Sequence, residues 1–156
     1  MRRMAPFRRS HILHLSYHLV THSRCSPAQI LASGSYDDTI KLYIDDPTED
    51  WYCFATLTGH TSTVWSLAWS PEGSYLASAS DDRTVRIWKR IEKYKWETIL
   101  TINAHDRTIY SLSWTKGRPK SGAGGLGWLA TVGGDGSIKV WELTVSNFTL
   151  DNPHHI

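Results

Sequence analysis

Nowhere in its 156 residues does the chain hold an unbroken apolar run of the ~18 residues that a membrane-crossing helix requires. Cysteine is almost absent. Cys25 and Cys53 stand alone and far apart, which excludes a disulfide scaffold or a cysteine-ligated metal site and suits a reducing compartment. Cys53, inside "WYCFATL", reads as a small buried hydrophobe. Acidic residues are missing from positions 1–27, which carry five arginines, whereas the rest of the chain holds 12 basic and 15 acidic residues. The net charge of +2 therefore belongs to the front end, and the body has none of the basic bias that nucleic-acid binding needs. A phosphate loop is missing too: "SGAGGLG" has neither the lysine nor the following helix, and reads as a flexible insertion.

What is present is tryptophan and repetition. Eight tryptophans in a chain 40% hydrophobic and 21% charged supply a core for one globular domain. "ASGSYDDTIKLY", "ASASDDRTVRIW" and "ATVGGDGSIKVW" end at Tyr43, Trp88 and Trp141, at intervals of 45 and 53 residues. The same intervals separate Leu31, Leu76 and Leu129, and Asp37, Asp82 and Asp135; His60 and His105 are also 45 apart. Eight extra residues in "KGRPKSGAGGLG", 116–127, account for the longer interval. A period near 45 marks a repeat architecture.

Within each period the code is β. "TVWSLAWS", "SYLASAS", "RTVRIWK" and "KWETILTI" are short runs of β-branched and aromatic residues separated by turn sequences such as "SPEG". Val85 and Ile87 alternate with Arg86 and Trp88, so both faces carry bulk and suit a sheet sandwiched between sheets.

A Gly-His pair, a strand, "SP-G", "LASAS", an aspartate and a strand closing on Trp resemble the WD40 repeat of β-propellers, although Tyr43-Ile44, Trp88-Lys89 and Trp141-Glu142 replace the family's final Trp-Asp. The resemblance implies an all-β fold: two to three four-stranded blades of a seven-bladed propeller. It divides the chain into a basic segment 1–27, expected to be disordered or weakly helical, and blades over 28–150. These are a partial blade 28–57 without its innermost strand, a complete blade 58–102, and a blade 103–150 carrying the insertion 116–127. It further implies a structural tetrad in which an indole N–H reaches a hydroxyl, the hydroxyl a histidine, and the histidine an aspartate: Trp88, Ser78, His60 and Asp82, then Trp141, Thr131, His105 and Asp135. The first unit keeps Ser33 and Asp37, has Tyr43 for tryptophan and lacks the histidine.

"SYDDTIKLY", "WYCFATLTGHTSTVWSLAWSPEG", "SDDRTVRIWK" and "DRTIYSLSW" closely resemble the WD-repeat subunits of the cytosolic iron–sulfur assembly (CIA) targeting complex, over residues 30–143. That family implies a non-enzymatic cytoplasmic and nuclear scaffold. Its partners are the other complex subunits and client apoproteins, with no membrane, no nucleic acid and no cofactor. A cluster takes four cysteine-type ligands, so two cysteines disfavour cluster carriage. Loop positions implied to meet a partner are Tyr36, Ser62, Thr63, Asp81, Arg107 and Thr108, with Trp65 and Tyr110 opening the inner strands. Seven blades would need over twice this length, so the chain reads as the middle of such a propeller behind an unrelated front end.

Alternatives are a generic WD40 adaptor in ubiquitin ligation, chromatin or trafficking, and a truncated product of little activity. An enzyme is disfavoured, because Ser, His and Asp sit at offsets copied once per repeat. The arginine-rich front also has the composition of a mitochondrial presequence. His11, His14, His18 and His22 share one helical face, but no acidic ligand accompanies them and no metal is assigned.

Overall fold

The computed structural model describes residues 19–23, 30–46, 50–92, 94–117, 125–144 and 154–155, and these contain strands and turns but no helix. Three antiparallel four-stranded sheets follow one another along the chain. The first holds β1 (Leu19–Ser23), β2 (Ile30–Gly34), β3 (Ile40–Asp46) and β4 (Asp50–Leu57). The second holds β5 (Val64–Trp69), β6 (Tyr75–Ser80), β7 (Thr84–Glu92) and β8 (Lys95–Asn103). The third holds β9 (Ile109–Thr115), β10 (Gly125–Gly133), β11 (Ile138–Thr144) and β12 (His154–His155). Each is a propeller blade, ordered from inner to outer strand as it is in sequence.

Local chemistry sets the hairpins. Between β5 and β6 the chain reverses at Pro71-Glu72-Gly73: the Gly73 N–H bonds Ser70 O at 2.9 Å, and Gly73 takes φ 75°. The Ser70 hydroxyl then accepts the Tyr75 N–H at 3.0 Å, tying both ends of the turn. A register shift falls at the same place in two blades, between Leu42 and Tyr43 and between Ile87 and Trp88, where the strand meets its outer neighbour.

Strand alternation gives the second sheet two apolar faces, and each is used. Leu67, Leu76 and Trp88 pack on Ile30, Ala32, Ile40 and Leu42 of the first sheet. Tyr75, Ala77, Ala79, Val85 and Ile87 pack on Leu112, Trp114, Leu129 and Trp141 of the third. Near the inner edge the Ser66 hydroxyl accepts the Leu112 N–H at 3.1 Å, linking β5 to β9.

Four expectations need correction. The first blade does not lack its inner strand: β1, drawn from the segment expected to be disordered or weakly helical, pairs with β2 from Leu19↔Gly34 to Ser23↔Ile30. A sheet edge of unpaired N–H and C=O groups is available there, and "LVTHS" has the β-branched content to satisfy it. The third blade runs past residue 150, because His154–His155 supply its outer strand against Lys139 and Val140. Residues 125–127, placed in the insertion, belong to β10, where a bulge at Gly125/Gly127 absorbs the irregularity. Cys53 is exposed rather than buried, since it sits on an outer strand and, among the described residues, no neighbouring sheet lies against that face.

Candidate functional site

Every blade carries the same turn between its second and third strands. In Asp37-Asp38-Thr39, Asp82-Arg83-Thr84 and Asp135-Gly136-Ser137, the aspartate Oδ1 accepts the N–H and the hydroxyl of the residue two positions on. This Asx turn places the middle residue in the left-handed region, at φ 66° for Asp38, 68° for Arg83 and 79° for Gly136. The turn aims the other carboxylate oxygen across the blade.

In the second blade that oxygen, Asp82 Oδ2, lies 2.7 Å from His60 Nδ1 and also accepts the Thr61 N–H at 3.1 Å. His60 Nε2 is 2.7 Å from Ser78 Oγ, which accepts the Trp88 indole N–H at 2.8 Å. A carboxylate can only accept, so His60 carries its proton on Nδ1. An indole can only donate, so the Ser78 hydroxyl is left to donate to Nε2. All donors then point from the core toward the turn, an arrangement in which each bond polarises the next. Burial opposes ionisation of Asp82, but bonds from His60 and Thr84 outweigh it and hold the carboxyl well below the ordinary aspartate range.

The third blade repeats the chain. Asp135 Oδ2 lies 3.0 Å from His105 Nδ1, His105 Nε2 lies 2.9 Å from Thr131 Oγ1, and the Trp141 indole N–H reaches that hydroxyl at 3.2 Å. The Ser137 hydroxyl and N–H, aided by the Asp106 N–H and His105, draw the Asp135 carboxyl well below its usual range. Gly133 is required here: a Cβ would stand 2.3 Å from His105 Nδ1. The first blade retains only the turn, where the Thr39 hydroxyl, against burial, and its N–H lower the Asp37 pKa. So the eight residues assigned to the tetrads do converge in two blades. Thr84 and Ser137 complete them and were not singled out from sequence; the recurring Asp-x-Thr/Ser at 37–39, 82–84 and 135–137 carries the signal.

The loop residues assigned to a partner divide into two groups. Asp81 accepts the Ser62 hydroxyl at 3.2 Å and the Thr108 hydroxyl from the third blade, and its N–H bonds Thr63 O at 2.9 Å. Ser62, Thr63, Asp81 and Thr108 thus fasten the rim together. Tyr36, Trp65 and Tyr110 form an aromatic row across all three blades, with ring centroids 5.5 and 6.1 Å apart and edge-to-face packing. Tyr36 and Tyr110 are 44% and 56% exposed, Trp65 is half-buried with an indole N–H that has no hydrogen-bond partner among the described residues, and Arg107 is exposed nearby. Among the described residues no group of three or more His, Cys, Asp or Glu is arranged to hold a metal ion. His11, His14 and His18 lie outside the described residues, as does the side chain of His22.

Known proteins are similar to the chain over part of its length. "Probable cytosolic iron-sulfur protein assembly protein 1" of Pyricularia oryzae is 51% identical over 43 residues, 28% of this chain and 10% of that protein. "Probable cytosolic iron-sulfur protein assembly protein CIAO1 homolog" of Ixodes scapularis is 49% identical over 41 residues, 26% of this chain and 13% of that protein. "Protein hir-1" of Neurospora crassa is 38% identical over 84 residues, 42% of this chain and 8% of that protein. The matched stretch spans about a tenth of the length of each of these curated relatives. Residues 51–89 and 96–142, more than half of the chain, match the WD domain, G-beta repeat model, and the chain belongs to the WD40 family.

Proposed function

We propose that the chain is a non-enzymatic protein-interaction scaffold of cytosolic iron–sulfur protein assembly, working in the cytoplasm and, for nuclear clients, in the nucleus. It presents client apoproteins to other subunits of the targeting complex. The observation that carries this reading is the half-identical stretch shared with relatives named for that process. Two supports are physical. His60 and His105, with the hydroxyls and aspartates beside them that could suggest hydrolysis, are consumed in two copies of one internal network. With only two cysteines the chain cannot supply the four thiolates that a cluster usually takes. Contact falls to Tyr36, Trp65, Tyr110 and Arg107, because rigid aromatics and arginine make good anchors. Ser62, Thr63, Asp81 and Thr108 shape the rim beneath them.

The test is co-purification of the tagged chain with purified targeting-complex subunits, together with incorporation of radioactive iron into cytosolic iron–sulfur proteins. Arg107→Glu should weaken capture about tenfold or more without shifting the urea midpoint, since Arg107 is exposed. Equal capture by variant and parent would remove Arg107 from the contact. Failure of the parent chain to bind any of those subunits would overturn the reading. It would favour a generic WD40 adaptor role instead.

A further inference from the structure

The three Asx turns differ at one position, the residue that follows the aspartate: Asp38, Arg83 and Gly136. Glycine takes the left-handed conformation there without a steric cost. The same missing side chain leaves the Gly136 amide nitrogen unshielded beside the Asp135 carboxyl, in the chain's only Asp-Gly pair. Such a pair can close on itself. The glycine nitrogen attacks Cγ of the protonated carboxyl, the N–Cγ bond forms, and the Cγ–OH bond breaks. The amide proton and the hydroxyl leave together as water, and a five-membered imide remains. Water then opens either imide carbonyl. Opening at the main-chain carbonyl routes the backbone through the side chain, which is isoaspartate.

The fold ties both reacting groups elsewhere. The Gly136 N–H is committed to Gly133 O at 3.2 Å. Asp135 Oδ1 accepts the Ser137 N–H at 3.0 Å and its hydroxyl at 2.7 Å. Oδ2 lies 3.0 Å from His105 Nδ1 and accepts the Asp106 N–H at 3.1 Å. Four donors fill the acceptor sites of the carboxylate and favour its ionised form, which is a poor electrophile. Ring closure therefore waits for the turn to open. Gly136 is exposed, and so is Arg83 in a blade flanked on both sides, so exposure belongs to the turn itself.

We infer that Asp135-Gly136 is a modification site, at which isoaspartate forms when the His105–Asp135 network opens and is prevented while that network is closed. The product adds one carbon to the main chain and leaves its carboxylate directly on Cα, a methylene short of its former reach. His105 Nδ1 then loses its acceptor, and the bonds through Thr131 to Trp141 lose their anchor. A local opening would thus be recorded covalently in the third blade. A carboxylate of this kind is the substrate class of methyltransferases that use S-adenosylmethionine: the methyl ester re-forms the imide and expels methanol. The first and second blades carry the same turn but with a side chain over the nitrogen, so they close far more slowly.

The test incubates the full chain at neutral pH, in buffer and in urea, and then labels isoaspartate with a purified isoaspartyl methyltransferase and radioactive S-adenosylmethionine. The tryptic peptide that ends at Lys139 holds Asp135 as its only Asp or Asn, so imide or isoaspartate found there by mass spectrometry belongs to this site. Label should accumulate at least about tenfold faster in urea than in buffer, as expected for a reaction that needs the open state. Gly136→Ala should remove most of that label in both conditions. His105→Ala should label in buffer faster than the parent. Ser137→Ala, which keeps the N–H donor and loses only the hydroxyl, should fall between the parent in buffer and the parent in urea, a result that outright unfolding does not give. A parent that labels equally fast in buffer and urea overturns the inference, because the fold then guards nothing. So does Ser137→Ala labelling at the parent's rate in buffer, which would separate the network from the protection.

Discussion

The second and third blades share a register, a turn and a hydrogen-bond chain, yet they live in different surroundings. Val85 lies 0% exposed beneath the third sheet, whereas Ile138, its counterpart 53 residues later, is 56% exposed. The second blade closes with the nine-residue strand β8, the third with the two-residue β12. At the rim Asp81 reaches across to Thr108, while the equivalent Gly134 packs beside Tyr110 of its own blade. The difference teaches that the tetrad belongs to the blade and travels with it. Burial belongs to the pair of blades, and is decided by whichever sheet lies next door.

The largest expected effect tests that division directly. Val85→Asp buries a carboxylate without a partner and should destabilise by more than about 4 kcal/mol, enough to unfold the second blade. Ile138→Asp, the same change at the open position, should cost less than about 1 kcal/mol in dilute solution. Urea melts of the two variants side by side would settle it, and equal losses would mean that the third sheet's outer face is covered after all.

A middle-sized effect concerns the network. His60→Ala or Asp82→Ala leaves buried polar atoms unsatisfied and should destabilise by about 1–3 kcal/mol, as should His105→Ala in the third blade. Asp37→Ala, where the turn has no histidine to hold, should be milder. The network also sets the acid limit of stability. The Asp82 carboxyl is held below its unfolded value, so its contribution is fully present above about pH 4 and is lost as pH falls through the folded value. Asp82→Asn should therefore flatten the acid limb of a stability–pH curve. An unchanged limb would separate Asp82 from acid unfolding.

The smallest effect sits at the turn. Arg83 holds φ 68° where the third blade has Gly136 at 79°. Arg83→Gly should change stability by no more than about 1 kcal/mol, because relief of the left-handed penalty is offset by a looser unfolded chain. Gly136→Ala should destabilise by a similar amount, since nothing stands within 4 Å of the added Cβ and only the backbone preference remains.

The resemblance to the WD40 repeat, laid on the repeat offsets, brought His60, Ser78, Asp82 and Trp88 together on paper. Hydrogen-bond valence explains why the four recur in step, since an indole N–H needs an acceptor and a carboxylate needs a donor. The alternation of Val85, Arg86, Ile87 and Trp88 likewise announced a sheet with two apolar faces, because side-chain direction in a strand has a period of two. What needed the tertiary structure was everything that depends on a neighbour outside the repeat. "LVTHS" carries no motif, and it became the first blade's inner strand because an unpaired edge was there to receive it. Asp81 and Thr108, alike as loop residues in sequence, became one fastening between blades. Cys53 is exposed because, among the described residues, no sheet faces it, a fact about packing that no local pattern encodes.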